Sequence, residues 1–393
     1  MLVDLKLAVR FPTGPWTGHS CGPQLEESRP NMWALSLFLA SFGVGMLSAG
    51  PDLLIPNEYW LPGEVVPVDY DLKLVVHMEN LTTRGEVKIE VEVVQTSSTI
   101  TLHANSSFIK INHDNVAVQG TDGGAEIPVM GHKEDEEKEF YEIKLGSQVK
   151  AGQRLSITLP YTGLIRDGRT GTVIMNSTDT TGNITNHHGF YVSTDGEWGL
   201  MGLTKFEPNG ARKALPCFDE PHLKATFTLS LARPKQYSSL GNMPSKEEGV
   251  EMEEDEGYLW DHYPKSVNMS TYLLKWVVSK YGYAEAVTKR GVKVRAFYGK
   301  NATKSMSYAA QNGAKIIDHL EQVFKMEYQL PKMDMVTVPL FRYGAMEEWG
   351  LMSFHMKYLQ HEEEHNSGRF WVDLVVSHEL VHQWAGNLVT CAW

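Results

Sequence analysis

The 393 residues are 42% hydrophobic and 21% charged, the composition of a folded protein with room for two or more domains, which excludes a disordered chain. A net charge of −12 argues against a nucleic-acid partner, whose phosphates would be repelled over most of the surface. Much of that excess is local, in KEDEEKE (133–139) and EEGVEMEEDEG (247–257), both expected to be solvated loops.

In chain order, the first feature is the apolar run 33–49, WALSLFLASFGVGMLSA, followed by small residues. Its length is the lower limit for a membrane span and comfortable for a signal-peptide core, so a cleaved signal is favoured and a signal anchor stays open. The balanced leader before it makes Met32 a plausible start. Six sequons follow, at Asn80, Asn105, Asn176, Asn183, Asn268 and Asn301. Together they imply an exported glycoprotein in the secretory pathway, at the cell surface or outside the cell, with membrane association expected. Cys21, Cys217 and Cys391 are too few and too scattered for a disulfide framework.

From about residue 55 the hydrophobic period is two. Tyr70, Leu72, Leu74 and Val76, then Val87, Ile89, Val91 and Val93, then Ile100 and Leu102 alternate with polar residues, and 225–231 repeats the pattern. Residues 55–284 are therefore expected to form a mostly β domain, after a leader over 1–54. Near residue 300 the period lengthens: Ala309, Gly313, Ile316, Ile317, Leu320 and Phe324 share one helical stripe. A short extended run, Met335–Val338, and a helix from about 370 complete the start of an α+β domain over 285–393.

That last helix carries His378, Glu379 and His382. Residues four apart on a helix share a face, so both imidazoles can reach one Zn²⁺ while the carboxylate meets its bound water. H-E-x-x-H is expected by accident only about 0.04 times in such a chain, yet it occurs twice. The second copy, His361 to His365, is acidic, lacks an apolar face and is read as a loop. The copy at 378–382 is flanked by Phe370, Leu374, Val375, Val376, Leu380, Val381 and Trp384, with Gly386 and Asn387 as a stop. A buried helix with satisfied core histidines is the other reading of it.

VVSHELVHQWAGNLVT resembles the H-E-L-x-H-Q-W-x-G-N-L-V-T segment of the zinc aminopeptidases of the aminopeptidase N family. GAMEEWGL (344–351) resembles that family's G-A-M-E-N-W-G-L motif, TKFEPNGARKALPCFDEP (204–221) its T-Q-x-E-P segment, and LPGEVVPVDYDLKL its domain-opening strand. The resemblance covers roughly residues 55–393. It implies a saddle-like β domain before a thermolysin-like catalytic domain, and removal of N-terminal residues from peptides with a free N-terminus. It also implies His378 and His382 as zinc ligands and Glu379 as general base. Glu207 and Glu347 would pair with the substrate α-ammonium, and Gly344, Ala345 and Met346 would lie along the peptide.

Three departures bear on substrate binding and metal affinity. Lys205 stands where the family has glutamine and Glu348 where it has asparagine, which leaves two readings open, a compensating ion pair between the two or independent drift in a non-catalytic homologue. The family's third ligand, a glutamate nineteen residues after His382, falls at position 401, beyond Trp393. The chain is therefore expected to be the N-terminal portion of a longer enzyme, weak in zinc and inactive by itself. The alternative is a catalytically dead homologue that binds peptides.

Overall fold

The computed structural model describes residues 58–121, 124–165, 171–174, 201–299, 303–338, 341, 344–359 and 366–391. The apolar run 33–49, the second H-E-x-x-H copy and the sequons at Asn176, Asn183 and Asn301 lie outside them. Among the described residues, no helix is long and apolar enough to cross a membrane.

The period-two segments are strands. Val65–His77 pairs antiparallel with Thr82–Val93, placing Tyr70 opposite Ile89 and Leu72 opposite Val87, so the two alternating faces coincide and bury together. Thr226–Pro234 runs parallel to Val65–His77 on its other side, with Tyr70 opposite Phe227 and the two rings stacked at 4.7 Å. These strands sit in an eight-stranded sheet whose edge is Glu247–Glu251, next to Tyr258–Tyr263. A three-stranded sheet, Ser97–His103, Phe140–Val149 and Val129–Asp135, accompanies it.

Both acidic stretches depart in part from the loop expectation: 136–139 and 252–257 are turn and coil as expected, but the residues before them are strands. Lys133 to Asp135 end one edge strand, and Glu247–Glu251 is another. An edge strand has one side unpaired, and charges along it discourage pairing with a second chain, so charge there is compatible with strand structure.

A four-stranded sheet, in the order Ser238–Gly241, Trp276–Ser279, Gly202–Lys205, Gly171–Ile174, leads to a five-stranded sheet. The latter is ordered Gly282–Val287, Lys293–Tyr298, Lys332–Val338, Leu351–His355, Ala345–Met346. Lys293–Tyr298 and Lys332–Val338 are parallel neighbours joined by helix α1, Thr303–Phe324. Ala309, Ile316, Ile317 and Leu320 are buried on the expected stripe. Helix α2, Asn366–His382, packs on α1, where Asp373 Oδ1 accepts hydrogen bonds from Tyr308 Oη at 2.6 Å and Asn312 Nδ2 at 2.8 Å.

One apolar cluster joins the last two sheets: Met201, Leu203 and Val277 from the first meet Phe297, Val336, Val338, Met346 and Leu351 from the second. That contact places Lys205, at the end of its strand, beside the segment that follows Ala345–Met346. Lys332–Val338 is buried along its whole length although it contains two charges. Lys332 Nζ pairs with Asp334 at 2.8 Å and donates to the carbonyls of Gly241 and Gly350, while Arg295 grips the same carboxylate with two nitrogens.

Candidate metal and amine-binding site

The site is assembled from three chain segments. In the first, Lys205 lies almost wholly buried, its side chain 3% exposed, and its ammonium is 2.6 Å from Glu207 Oε2, whose own side chain is 48% exposed. The peptide bond that follows, Glu207–Pro208, is cis. Phe206 points the other way, into the core, edge-on to Trp276 at 5.5 Å.

In the second segment, Gly344 has φ +84°, a left-handed conformation that suits glycine, and its carbonyl accepts the His355 N–H at 2.7 Å. Ala345 and Met346 pair with Phe354 and Ser353, so the Met346 side chain belongs to the core while its backbone lies on a sheet edge. Glu347 is half-buried and Glu348 fully buried. Gly350, at φ +81°, has no room for a side chain: a Cβ would lie 2.6 Å from the Asn242 carbonyl oxygen.

Glu348 does not balance Lys205 as the compensating reading expects. Its carboxylate is 2.8 Å from the ammonium of Lys275, both side chains 0% exposed, and it also accepts the Ser353 N–H at 3.2 Å. Lys275 in turn donates to the Thr204 carbonyl. Burial lowers the Lys275 pKa, with Glu348 acting against that fall. Sequence reasoning missed Lys275, although a single charge inside the apolar run LLKWVV (273–278) signals a buried partner. Asn242 steadies the same strand by accepting the Lys275 N–H and donating to the Leu273 and Trp349 carbonyls, each at 2.8 Å.

The third segment is the end of α2. Val376, Leu380, Val381 and Trp384 are buried, whereas Phe370 is exposed at the other end of the helix. Trp384 stacks on Phe324 of α1 at 5.5 Å, and the Asn387 N–H caps the His382 carbonyl at 2.9 Å. Gln383 Nε2 and Asn387 Nδ2 both donate to the Glu347 carbonyl, at 3.2 and 2.8 Å, binding the helix end to the second segment. Lys224 and Tyr272, from the β region, hold the carbonyls of Asn387, Leu388 and Gly386. No sequence motif pointed to Lys224 or Tyr272.

His378 Nε2 and His382 Nε2 face one another at 3.1 Å. Two imidazole nitrogens on one tetrahedral zinc, each about 2.0–2.1 Å from it, stand about 3.3 Å apart, so the rings already have a chelating separation. His382 Nδ1 lies 3.2 Å from the Ala385 carbonyl, an arrangement that puts its proton on Nδ1 and leaves Nε2 as the donor to a metal. Donor atoms of Glu347, Glu379 and His382 lie within 4.8 Å of one another. The residues therefore suit a zinc ion in the kind of donor and in the separation of the two imidazoles, with two carboxylates beside them.

The electrostatics are those of crowded carboxylates. Burial raises the Glu379 pKa well above the ordinary range, and the charges of Glu347, Glu348 and Glu207 add to it. Burial also raises Glu347, against the pull of His382. Burial, with His382 second, lowers His378 to about 4. A dication at the two histidines would reverse this balance and favour ionised carboxylates.

With this geometry in view, the comparisons with known proteins are specific. Residues 66–273 match the Peptidase M1 N-terminal domain and residues 308–393 the Peptidase family M1 domain. The chain belongs to peptidase family M1. It is 33% identical over 346 residues to endoplasmic reticulum aminopeptidase 1 of Homo sapiens, covering 86% of this chain and 34% of that protein. To the thyrotropin-releasing hormone-degrading ectoenzyme of Rattus norvegicus it is 33% identical over 363 residues, covering 89% and 32%. To aminopeptidase A of Gloydius brevicauda it is 32% identical over 343 residues, covering 86% and 33%. The chain thus spans about a third of the length of the curated relatives it matches, and holds the mostly β region followed by the first part of the family's catalytic domain.

Proposed function

We propose that the chain carries the zinc-holding and amine-anchoring part of a metallo-aminopeptidase that removes N-terminal residues from peptides. The observation that carries this reading is the 3.1 Å approach of His378 Nε2 to His382 Nε2 beside two carboxylates, Glu347 and Glu379. His378 and His382 would hold zinc, which when bound polarises a scissile carbonyl and acidifies water. Glu379 would serve as the general base and acid beside that position, taking a proton from water and returning it to the leaving amine. Glu207 and Glu347 pair with the free α-ammonium, which limits the site to chain ends. The strand edge of Gly344, Ala345 and Met346 offers backbone groups to the peptide. The names of the relatives, which place one in the endoplasmic reticulum and call another an ectoenzyme, support a secretory-pathway setting. So do the apolar run 33–49 and the sequons, of which Asn80 and Asn268 are exposed.

Zinc titration of the purified chain by calorimetry tests the metal reading without relying on turnover. One zinc per chain is expected, lost in His378→Ala and His382→Ala and kept in Glu379→Gln. Zinc uptake that is unchanged by either histidine substitution would refute the site.

A further inference from the structure

We propose that Asn80 and Asn268 carry N-linked glycans in the folded protein, whereas Asn105 stays unmodified because the fold uses its side-chain amide as a structural clamp. The inference rests on the secretory-pathway reading and goes beyond it by assigning the sequons one by one. Three lie within the described residues: Asn80-Leu81-Thr82, Asn105-Ser106-Ser107 and Asn268-Met269-Ser270. In N-glycosylation the asparagine Nδ2 forms a bond to the anomeric carbon of a sugar carried on a lipid pyrophosphate. The bond from that carbon to the carrier breaks, the carrier leaves with the electron pair, and Nδ2 gives up one proton. The product is a bulky polar group on one nitrogen, which must face solvent once the chain has folded.

Asn80 meets this condition, being exposed in the turn between Val65–His77 and Thr82–Val93. Asn268 meets it too, although the next two residues are buried. Met269 exchanges backbone hydrogen bonds with Ala225 at 2.9 and 3.1 Å, and Ser270 Oγ donates to the Pro221 carbonyl, so the backbone is anchored while the acceptor side chain stays outside.

Asn105 differs at the reacting atom itself. Its Nδ2 donates to Glu139 Oε1, its Oδ1 accepts the Ser107 N–H at 3.0 Å, and its backbone N–H donates to the Arg212 carbonyl at 2.9 Å. The other oxygen of Glu139 accepts Arg212 Nη1 at 3.2 Å, between side chains 24% and 6% exposed. Arg212 Nε continues to Asp219 at 3.0 Å. The Asn105 amide therefore helps to hold the segment that also bears Glu207. A sugar on Nδ2 would push Glu139 aside and strip a buried guanidinium of one of its carboxylates, which is costly. Sugar transfer precedes folding, so a chain glycosylated here is one that fails to close this network.

The test is expression of the whole chain in secretory eukaryotic cells, with glycopeptide mass spectrometry of the folded product and thermal unfolding of variants. Glycan is expected at Asn80 and at Asn268 and none at Asn105. Asn80→Gln and Asn268→Gln should each remove one glycan. Asn105→Gln should remove none, yet lower Tm by about 3 °C or more. Ser107→Ala destroys the sequon but keeps the Ser107 N–H and the Asn105 amide, so it should alter neither glycan content nor Tm. A glycan at Asn105 in the folded protein, its loss in Ser107→Ala, or an Asn105→Gln as stable as wild type would overturn the clamp, and a bare Asn80 or Asn268 would overturn the assignment of that site. If no sequon of the chain carries glycan, the secretory reading fails and the inference fails with it.

Discussion

The inward face of the strand pair Val65–His77 and Thr82–Val93 and the ion pair of Lys275 and Glu348 are both buried, but for opposite reasons. In the first, the inward side chains are apolar apart from Thr83, and the apolar ones contribute by leaving water. In the second, two opposite charges with no exposed surface are kept inside by each other and by the Thr204 carbonyl and the Ser353 N–H. A hydrophobic face degrades gradually as atoms are removed, whereas a buried ion pair fails when either member is lost, because the remaining charge has no water to return to.

The strongest way to sharpen this contrast is Glu348→Asn, which restores the residue expected from the resemblance but strands Lys275. It is expected to cost on the order of 3–5 kcal/mol in denaturant unfolding. The double change Lys275→Met with Glu348→Leu should recover most of that loss. A near-neutral Glu348→Asn would mean that the pair contributes little.

Leu72→Ala, in the apolar pair, is expected to cost about 3 kcal/mol, with a cavity opposite Val87. A much larger effect, or loss of cooperativity, would show that this sheet tolerates damage no better than the ion pair does.

His103 gives a smaller, pH-dependent contrast. Burial, with Arg212 adding to it, lowers its pKa to about 2, and Nδ1 accepts the Asp219 N–H at 3.2 Å. The unfolded chain takes up this proton near pH 6.5 while the folded chain refuses it. Stability from this group is therefore full above about 6.5 and falls by about 1.4 kcal/mol per pH unit below it, down towards 2. Unfolding of wild type and His103→Gln between pH 7 and 5 should show a shallower slope in the variant. Equal slopes would place the acid sensitivity elsewhere.

The smallest effect is expected at Arg84–Glu254, an ion pair 3.0 Å long but more than half exposed at both ends. Arg84→Ala should change stability by less than about 0.5 kcal/mol, and the change should shrink further at high salt.

How much of this was legible beforehand differs between the same regions. Alternation named the inward residues of Val65–His77 and Thr82–Val93, because side chains on a strand change face at every step and only one face was apolar. The helical stripe of α1 and the spacing of His378 and His382 were readable for the same reason, a local period that the backbone geometry fixes. The edge strands at 129–135 and 247–251 were not, since their charges answer to an unpaired sheet edge that has no local signature. The partner of Glu348 was also hidden: Lys275 is 73 residues away in the chain, and either Lys205 or Lys275 satisfied the arithmetic of charge.

The sequence by itself determined the one-turn spacing of His378 and His382 and the mostly β character of the first region, because each is written in residue types at short, periodic spacing. Only the tertiary structure decided which lysine meets which glutamate, that Glu207 is already engaged by an internal ammonium, and that Lys224 and Tyr272 hold the end of α2. Those choices depend on which strands become neighbours across the two small sheets, and such distances are set by the packing of Met201, Leu203 and Val277 on Met346 and Leu351 rather than by any local pattern.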